Sequence, residues 1–166
     1  EGHSRRVTEN TMKIAQKMGI SGEALEDIRS GSILHDIGKI SIPDKILHKP
    51  DKLTVEEREI VEQHPETAYK LLLPITYLNK AIEIPFSHHE KWDGTGYPQK
   101  LKGKRIPVSA RIFAIADVWD ALSNDRPYHE AWSREKIIRY FIDESGKHFD
   151  PEILNIFLEL LEKGEI

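Results

Sequence analysis

The sequence predicts an all-α fold, a single-domain helical bundle of seven or eight helices over residues 1–166 with one long Gly/Pro-rich loop. Three observations carry that expectation. Apolar residues recur at spacings of three and four in one segment after another, the period of a helix with a buried face. Helix start and stop signals fall where those segments begin and end. Only one short stretch, residues 40–44, resembles a strand, and nothing else in the chain has a pattern to pair with it. With 166 residues, 39% hydrophobic content and three tryptophans, the chain is long enough for one core that buries about two-thirds of its unfolded surface.

The elements follow in order. Val7, Met12, Ile14, Ala15 and Met18 mark a helix over residues 3–18 that stops at Gly19. Ala24, Leu25, Ile28, Gly31, Ser32 and Leu34 mark a second, which runs into His35-Asp36 and breaks at Gly38. Residues 40–44 read as a short extended link, because the residue before Pro43 is pushed out of helical geometry. Thr54 with Glu57 forms a capping box, and the helix it opens ends at His64-Pro65. A further helix is expected from Pro65 to Leu73, with Pro74 as a stop. Residues 78–89 read as another, kinked by Pro85 through the loss of one backbone bond. Residues 90–107 are rich in glycine, proline and basic residues, and loops of that length are usually functional or disordered; Trp92 and Tyr97 argue for order. Pro107 fits the first position of an apolar helix running to Leu122. Ser133 opens the next helix, and Asp150-Pro151 caps and starts a last one that ends near Gly164.

Composition excludes several classes. A net charge of −4 and a pI near 6 argue against a partner that is a nucleic-acid polymer, which normally calls for a basic excess. No apolar run approaches the roughly 20 residues of a membrane span and no signal peptide is visible. With no cysteine, a disulfide framework and thiolate metal sites are excluded, and a cytoplasmic location is expected. The chain opens on Glu1, inside what reads as a helix, so a domain of a longer protein with an N-terminal regulatory domain is expected.

The chemistry begins at Ile33-Leu34-His35-Asp36-Ile37-Gly38-Lys39. An adjacent imidazole and carboxylate suit Fe, Mn or Zn better than Ca or Mg, but one such pair occurs by chance in many proteins. Further candidates accumulate at His3, His64, His88, His89 and Asp117. A carboxylate set in Ile115-Ala116-Asp117-Val118-Trp119 would cost several kcal/mol to bury alone, so it is paired, protonated or on a metal. His35, Asp36, His64, His88, His89, Asp117 and His3 are too many ligands for one ion. They imply two divalent ions, or three, with a carboxylate such as Asp36 between them. Two ions a few ångströms apart make a shared water more acidic and neutralise phosphoryl charge, which points to phosphate ester hydrolysis.

These motifs resemble the HD-GYP branch of the HD phosphohydrolase superfamily. The resemblance rests on His35-Asp36-Ile37-Gly38-Lys39 with Pro43-Asp44, on His64-Pro65, and on His88-His89-Glu90-Lys91-Trp92-Asp93-Gly94-Thr95-Gly96-Tyr97-Pro98. Ala110-Arg111-Ile112 with Asp117, Asp125-Arg126-Pro127-Tyr128 and Phe149-Asp150-Pro151 complete it. The Gly-Tyr-Pro loop is its specific part. The resemblance implies a helical bundle holding two or three iron or manganese ions and hydrolysing cyclic di-GMP to the linear dinucleotide and on to GMP. It implies His35, Asp36, His64, His88, His89 and Asp117 as metal ligands, with His3, in a His-x-x-Arg motif with Arg6, as a further one. It implies Asp36 and Lys39 as catalytic, and Lys39, Asp120 and Arg126 as contacts to substrate phosphate or aids to its positioning. Two departures stand out. His129 replaces a basic residue after Arg-Pro-Tyr, making that contact weaker or pH-dependent. The glutamate that brings a third metal in some members would precede Glu1.

For other residues two readings remain open. Arg111 either touches substrate or pairs with Asp93 or another acid, and Tyr97 either stacks on a guanine or packs to hold its loop. His48 and His148 read as loop or capping residues, and Trp92, Trp119 and Trp132 as anchors. The basic cluster at 100–105 reads as a solvated face, with a role in attracting an anionic substrate as the sharper alternative. Three functions are weighed: a cyclic di-GMP phosphodiesterase, a module that binds the dinucleotide or a signalling partner through the 94–98 loop without turnover, and a hydrolase of another cyclic nucleotide.

Overall fold

The computed structural model describes residues 2–125 and 130–166. Among these, α-helices are α1 (Gly2–Lys17), α2 (Glu23–Leu34), α3 (Asp44–Leu47), α4 (Val55–Val61), α5 (His64–Leu72), α6 (Glu83–Ser87), α7 (Val108–Ser123), α8 (Arg134–Asp143) and α9 (Pro151–Glu162). α3 is a single turn; eight helices are longer, and the all-α expectation is borne out. Three 3-10 segments, Ile37–Ser41, Thr76–Leu78 and Gly103–Arg105, join them. No strand forms among the described residues beyond one isolated bridge between Ser145 and Phe149. Among the described residues no helix is long and apolar enough to cross a membrane.

Helix ends follow the local chemistry. Thr54 and Glu57 make both bonds of the capping box on α4. Ser133 Oγ accepts the Lys136 amide at the start of α8, and the Asp150 carboxylate accepts the Glu152 amide at the start of α9. Each satisfies a donor that has no partner inside the helix.

α7 is the centre. Its Ile112, Phe113, Ile115 and Ala116 are buried, and it packs against α1, α6, α8 and α9. Beyond it, Phe141 stacks on Phe149 with centroids 4.6 Å apart, and Phe157 lies 5.3 Å from Phe141. Each fully buried phenylalanine contributes about 1.5–3 kcal/mol of transfer free energy. This core holds α1 and α7 together, and those two helices carry His3 and Asp117.

Three local expectations are corrected. Residues 37–41 form a 3-10 segment, so that of the extended link expected at 40–44 only Ile42 and Pro43 are extended before α3 begins at Asp44; tight i→i+3 turns hold the backbone close to α5. Residues 78–89 are not one kinked helix. Pro85 sits in the first turn of α6, where its absent N–H has no intrahelical acceptor to lose, so it opens a short helix and kinks none. Pro107 is the N-cap of α7, not its first residue.

Candidate metal centre

Three helices end at the site, and each end does the same job. The last carbonyls of a helix lack intrahelical donors, and here they take imidazole N–H groups instead. His35, the C-cap of α2, has Nδ1 2.7 Å from the Ser32 carbonyl. His64, just past α4, has Nδ1 2.7 Å from the Val61 carbonyl. His88, the C-cap of α6, has Nδ1 3.0 Å from the Ile84 carbonyl and 3.2 Å from that of Pro85. For His64 and His88 a proton on Nδ1 leaves Nε2 as a bare acceptor aimed inward, whereas His35 Nε2 meets the Asp36 carboxylate. The C-terminal ends of α2 and α6 also favour a cation there.

The inward atoms fall into two groups. His64, His88 and His89 offer ligand atoms within 4.8 Å of one another, and so do His3, His35 and Asp117. Asp36 lies between them, with Oδ2 3.2 Å from His35 Nε2 and Oδ1 3.7 Å from His64 Nε2. Burial opposes ionisation of Asp36, but the His35 hydrogen bond and the His35 and Lys39 charges hold its carboxyl far below the usual range. Burial likewise pushes His35 down, and Asp36 overrides it, leaving His35 raised. Burial lowers His64, takes His88 down to about 3, and drives His89 lower still.

That pattern tests whether the residues fit a metal. His64 Nε2 and His88 Nε2 face each other at 3.5 Å. Both rings are buried and neutral, and with each Nδ1 donating elsewhere neither Nε2 has a proton to offer the other. Two opposed lone pairs are stabilised by an electrophile between them. Neutral imidazoles with a shared carboxylate and no thiolate suit Fe, Mn or Zn, and the clusters fit divalent ions.

Two glycines allow this closeness. A Cβ on Gly38 would lie 1.9 Å from the His64 carbonyl oxygen, so only glycine lets the Asp36–Lys39 turn press on α5. A Cβ on Gly96 would lie 2.4 Å from the Lys91 amide nitrogen and 2.5 Å from the His89 oxygen. The loop bearing Gly96 is therefore laid against the histidine pair. Buried Glu90 fixes its far side, accepting the amides of Gln99 at 2.7 Å and Leu101 at 2.9 Å. Tyr97, which precedes the cis bond to Pro98, stacks on His89 with centroids 4.7 Å apart.

The other expected site residues divide. Lys39 Nζ is 2.7 Å from Asp36 at the rim of a cavity of about 470 Å³ that His3, His35, Asp36 and Asp117 also line. The deeply buried carboxylate of α7 is Asp120, not Asp117, whose side chain is 27% exposed toward the cavity. Asp120 takes His3 Nδ1 at 2.6 Å on one oxygen and Arg6 Nε at 2.5 Å on the other. Both oxygens are engaged, so Asp120 orients His3 at the cavity that it also lines. Arg111 makes an ion pair with an acid, the second of its two readings: it pairs with buried Asp150 at 2.5 Å, takes the Ile106 carbonyl and lies 5.9 Å from the Trp92 ring. It therefore supports the loop from below, and Asp93 instead accepts from Thr95. His48 caps α3, whereas His148 is more buried than a loop residue, stacked on Phe149, with burial lowering it to about 4. Arg126 and His129 lie outside the described residues.

Sequence reasoning missed Glu90 as the loop's anchor, although it follows the histidine pair directly, and missed the role of the helix-end carbonyls, which no side chain signals.

Comparison with known proteins adds the deciding observation: the family profile described as HD domain matches residues 1–153. The chain belongs to the HD-domain family. This HD domain is 43% identical over 162 residues to a cyclic di-GMP phosphodiesterase of Thermotoga maritima, covering 95% of the chain and 44% of that protein. It is 42% identical over 159 residues to the 3'3'-cGAMP-specific phosphodiesterase 2 of Vibrio cholerae, covering 95% of the chain and 30% of that protein. The chain thus spans less than half the length of these relatives. Among solved structures, the HD domain of the L. monocytogenes phosphodiesterase PgpH in complex with cyclic di-AMP superposes with a TM-score of 0.68 at 20% identity, covering 99% of this chain and 88% of that one. The V. cholerae V-cGAP3 phosphodiesterase superposes at 0.76 and 20% identity, covering 98% and 44%. At that identity the likeness shows the fold, and it is the same HD-domain bundle.

Proposed function

We propose that this HD domain is a metal-dependent phosphodiesterase that opens cyclic di-GMP to the linear dinucleotide and carries it on toward GMP. The observation that carries the reading is a pair of ligand triads on either side of one shared carboxylate, Asp36, beneath a single cavity. His3, His35 and Asp117 would hold one ion and His64, His88 and His89 the other, with iron or manganese as the favoured metals. Bound divalent ions would supply Lewis acidity at the phosphoryl oxygens and a water acidic enough to attack phosphorus at neutral pH.

The chain's own residues do the rest. Nδ1 of His3 is held by Asp120, and those of His35, His64 and His88 by main-chain carbonyls, so the ligand geometry exists before substrate arrives. Lys39 at the cavity rim is the cation placed to take a phosphoryl oxygen as charge builds on it, and Arg126 follows it in the same role by its motif. The names of relatives support a cyclic dinucleotide substrate, and those specific for 3'3'-cGAMP favour a mixed dinucleotide as the second reading. A regulatory domain before Glu1, a cytoplasmic setting and a signalling partner at the 94–98 loop belong to the same proposal.

The test is turnover of cyclic di-GMP by protein purified without oxygen, with metal content measured on the same sample and iron and manganese restored separately. Product in proportion to metal is expected. Full metal occupancy with binding but no product would make the domain a receptor.

A further inference from the structure

A second hollow of about 460 Å³ is lined by Lys52, Leu53, Arg58, Val61, Glu62 and Tyr97. It adjoins the metal cluster through one ring, because Tyr97 stacks on His89. Val61 joins the two physically, since it lines the hollow and its carbonyl orients His64.

The lining has an unusual polarity. Arg58 and Glu62 stand four residues apart on α4, neighbours on one face about one turn from each other. Among the described residues their side chains make no hydrogen bond or ion pair, although an opposite-charge pair at this spacing commonly closes. Leu53, Val61 and the Tyr97 ring offer apolar surface beside them. A flat heterocycle with donors on one edge and acceptors on the next would satisfy the whole set.

We infer that this hollow reads a guanine base of the dinucleotide: the Glu62 carboxylate accepts N1–H and the 2-amino group, and the Arg58 guanidinium donates to O6 and N7. Arginine meets the O6/N7 edge of guanine bidentately, and a carboxylate matches the two parallel donors beside it. Adenine presents a lone pair at N1 and an amino group in place of O6, so Glu62 would face an acceptor and Arg58 a donor. The inference rests on the phosphodiesterase reading for its placement, since a base held here leaves its phosphate on the metal side of Tyr97. Specificity among cyclic dinucleotides then resides in α4, away from the metal ligands.

Two measurements separate the inference from the reading it rests on. Guanosine and adenosine, which lack phosphate, are titrated against the protein by ligand-observed NMR, and kcat/KM is compared for cyclic di-GMP and cyclic di-AMP. Guanosine is expected to bind the wild-type protein more tightly than adenosine, and Glu62→Gln to weaken guanosine alone by about tenfold. The kcat/KM preference for cyclic di-GMP should fall by a similar factor, through KM. Arg58→Gln should weaken guanosine in the same way. Equal binding of the two nucleosides, or an unchanged preference in Glu62→Gln, overturns the base pocket. Glu62-dependent guanosine binding with no turnover of any dinucleotide leaves the pocket standing and removes the phosphodiesterase reading.

Discussion

The two ends of the bundle are assembled on different principles. Around α8 and α9 the contacts are apolar and redundant: Phe141 touches both Phe149 and Phe157, and all three lie in one larger apolar cluster. At the metal end the contacts are polar and specific, with Asp36 and Asp120 each engaged by several named groups, and backbone approaches so closely at Gly38 and Gly96 that a single methyl group does not fit. The apolar end provides stability that degrades gradually. The metal end uses that stability to hold neutral imidazoles and a charged carboxylate where they would not otherwise stay.

Asp36→Ala should break the comparison most sharply. Turnover should fall by at least about 10³-fold, some 4 kcal/mol of transition-state stabilisation, and metal content should drop, while the unfolding midpoint of the metal-free protein changes little. Turnover that survives this change would show that the shared carboxylate is not part of the mechanism. Phe157→Ala is the mirror case. It should cost about 3–5 kcal/mol in denaturant unfolding and leave the metal-to-protein ratio of the folded fraction unaltered; a lost metal would mean that the two ends are not separable.

Gly38→Ala probes the boundary between them. A methyl group at 1.9 Å from the His64 oxygen must push the Asp36 turn off α5, at about 1–3 kcal/mol of stability. Unlike the phenylalanine change, it should weaken metal binding as well, read by titration calorimetry.

The smallest effect is a dependence on pH far from the metals. Burial lowers His148 to about 4 in the fold against about 6.5 when unfolded. Between those values the unfolded chain binds more protons, so stability is present above about pH 6.5 and is lost as pH falls toward 4. His148→Gln should flatten unfolding free energy across that window by about 1 kcal/mol. An identical slope in metal-loaded wild type and variant would assign the dependence elsewhere.

Much of this was legible in the sequence because it is carried by side-chain type and spacing. The capping box at Thr54, the caps at Ser133 and Asp150 and the stripes of α1 and α9 all rest on neighbours within four residues. The site was legible as an inventory, since histidines and aspartates with no thiols leave few other chemistries. Its geometry was not. Arg111 finds Asp150 thirty-nine residues away, a choice that only the folded chain makes. Pro85 was misread because a proline that opens a short helix and one that kinks a long helix share the same local sequence. The spacing of Asp120 from Asp117 gives the face it lies on but not that His3 and Arg6 meet it there.

The histidines at the ends of α2, α4 and α6 lean on carbonyl oxygens, which every residue possesses. Replacing Ser32, Val61 or Ile84 with another side chain leaves the acceptor in place, so this part of the ligand scaffold is sheltered from point substitution. What it cannot tolerate is a change in length. One residue inserted into or deleted from the last turn of any of these helices would turn a histidine about 100° away from its partners.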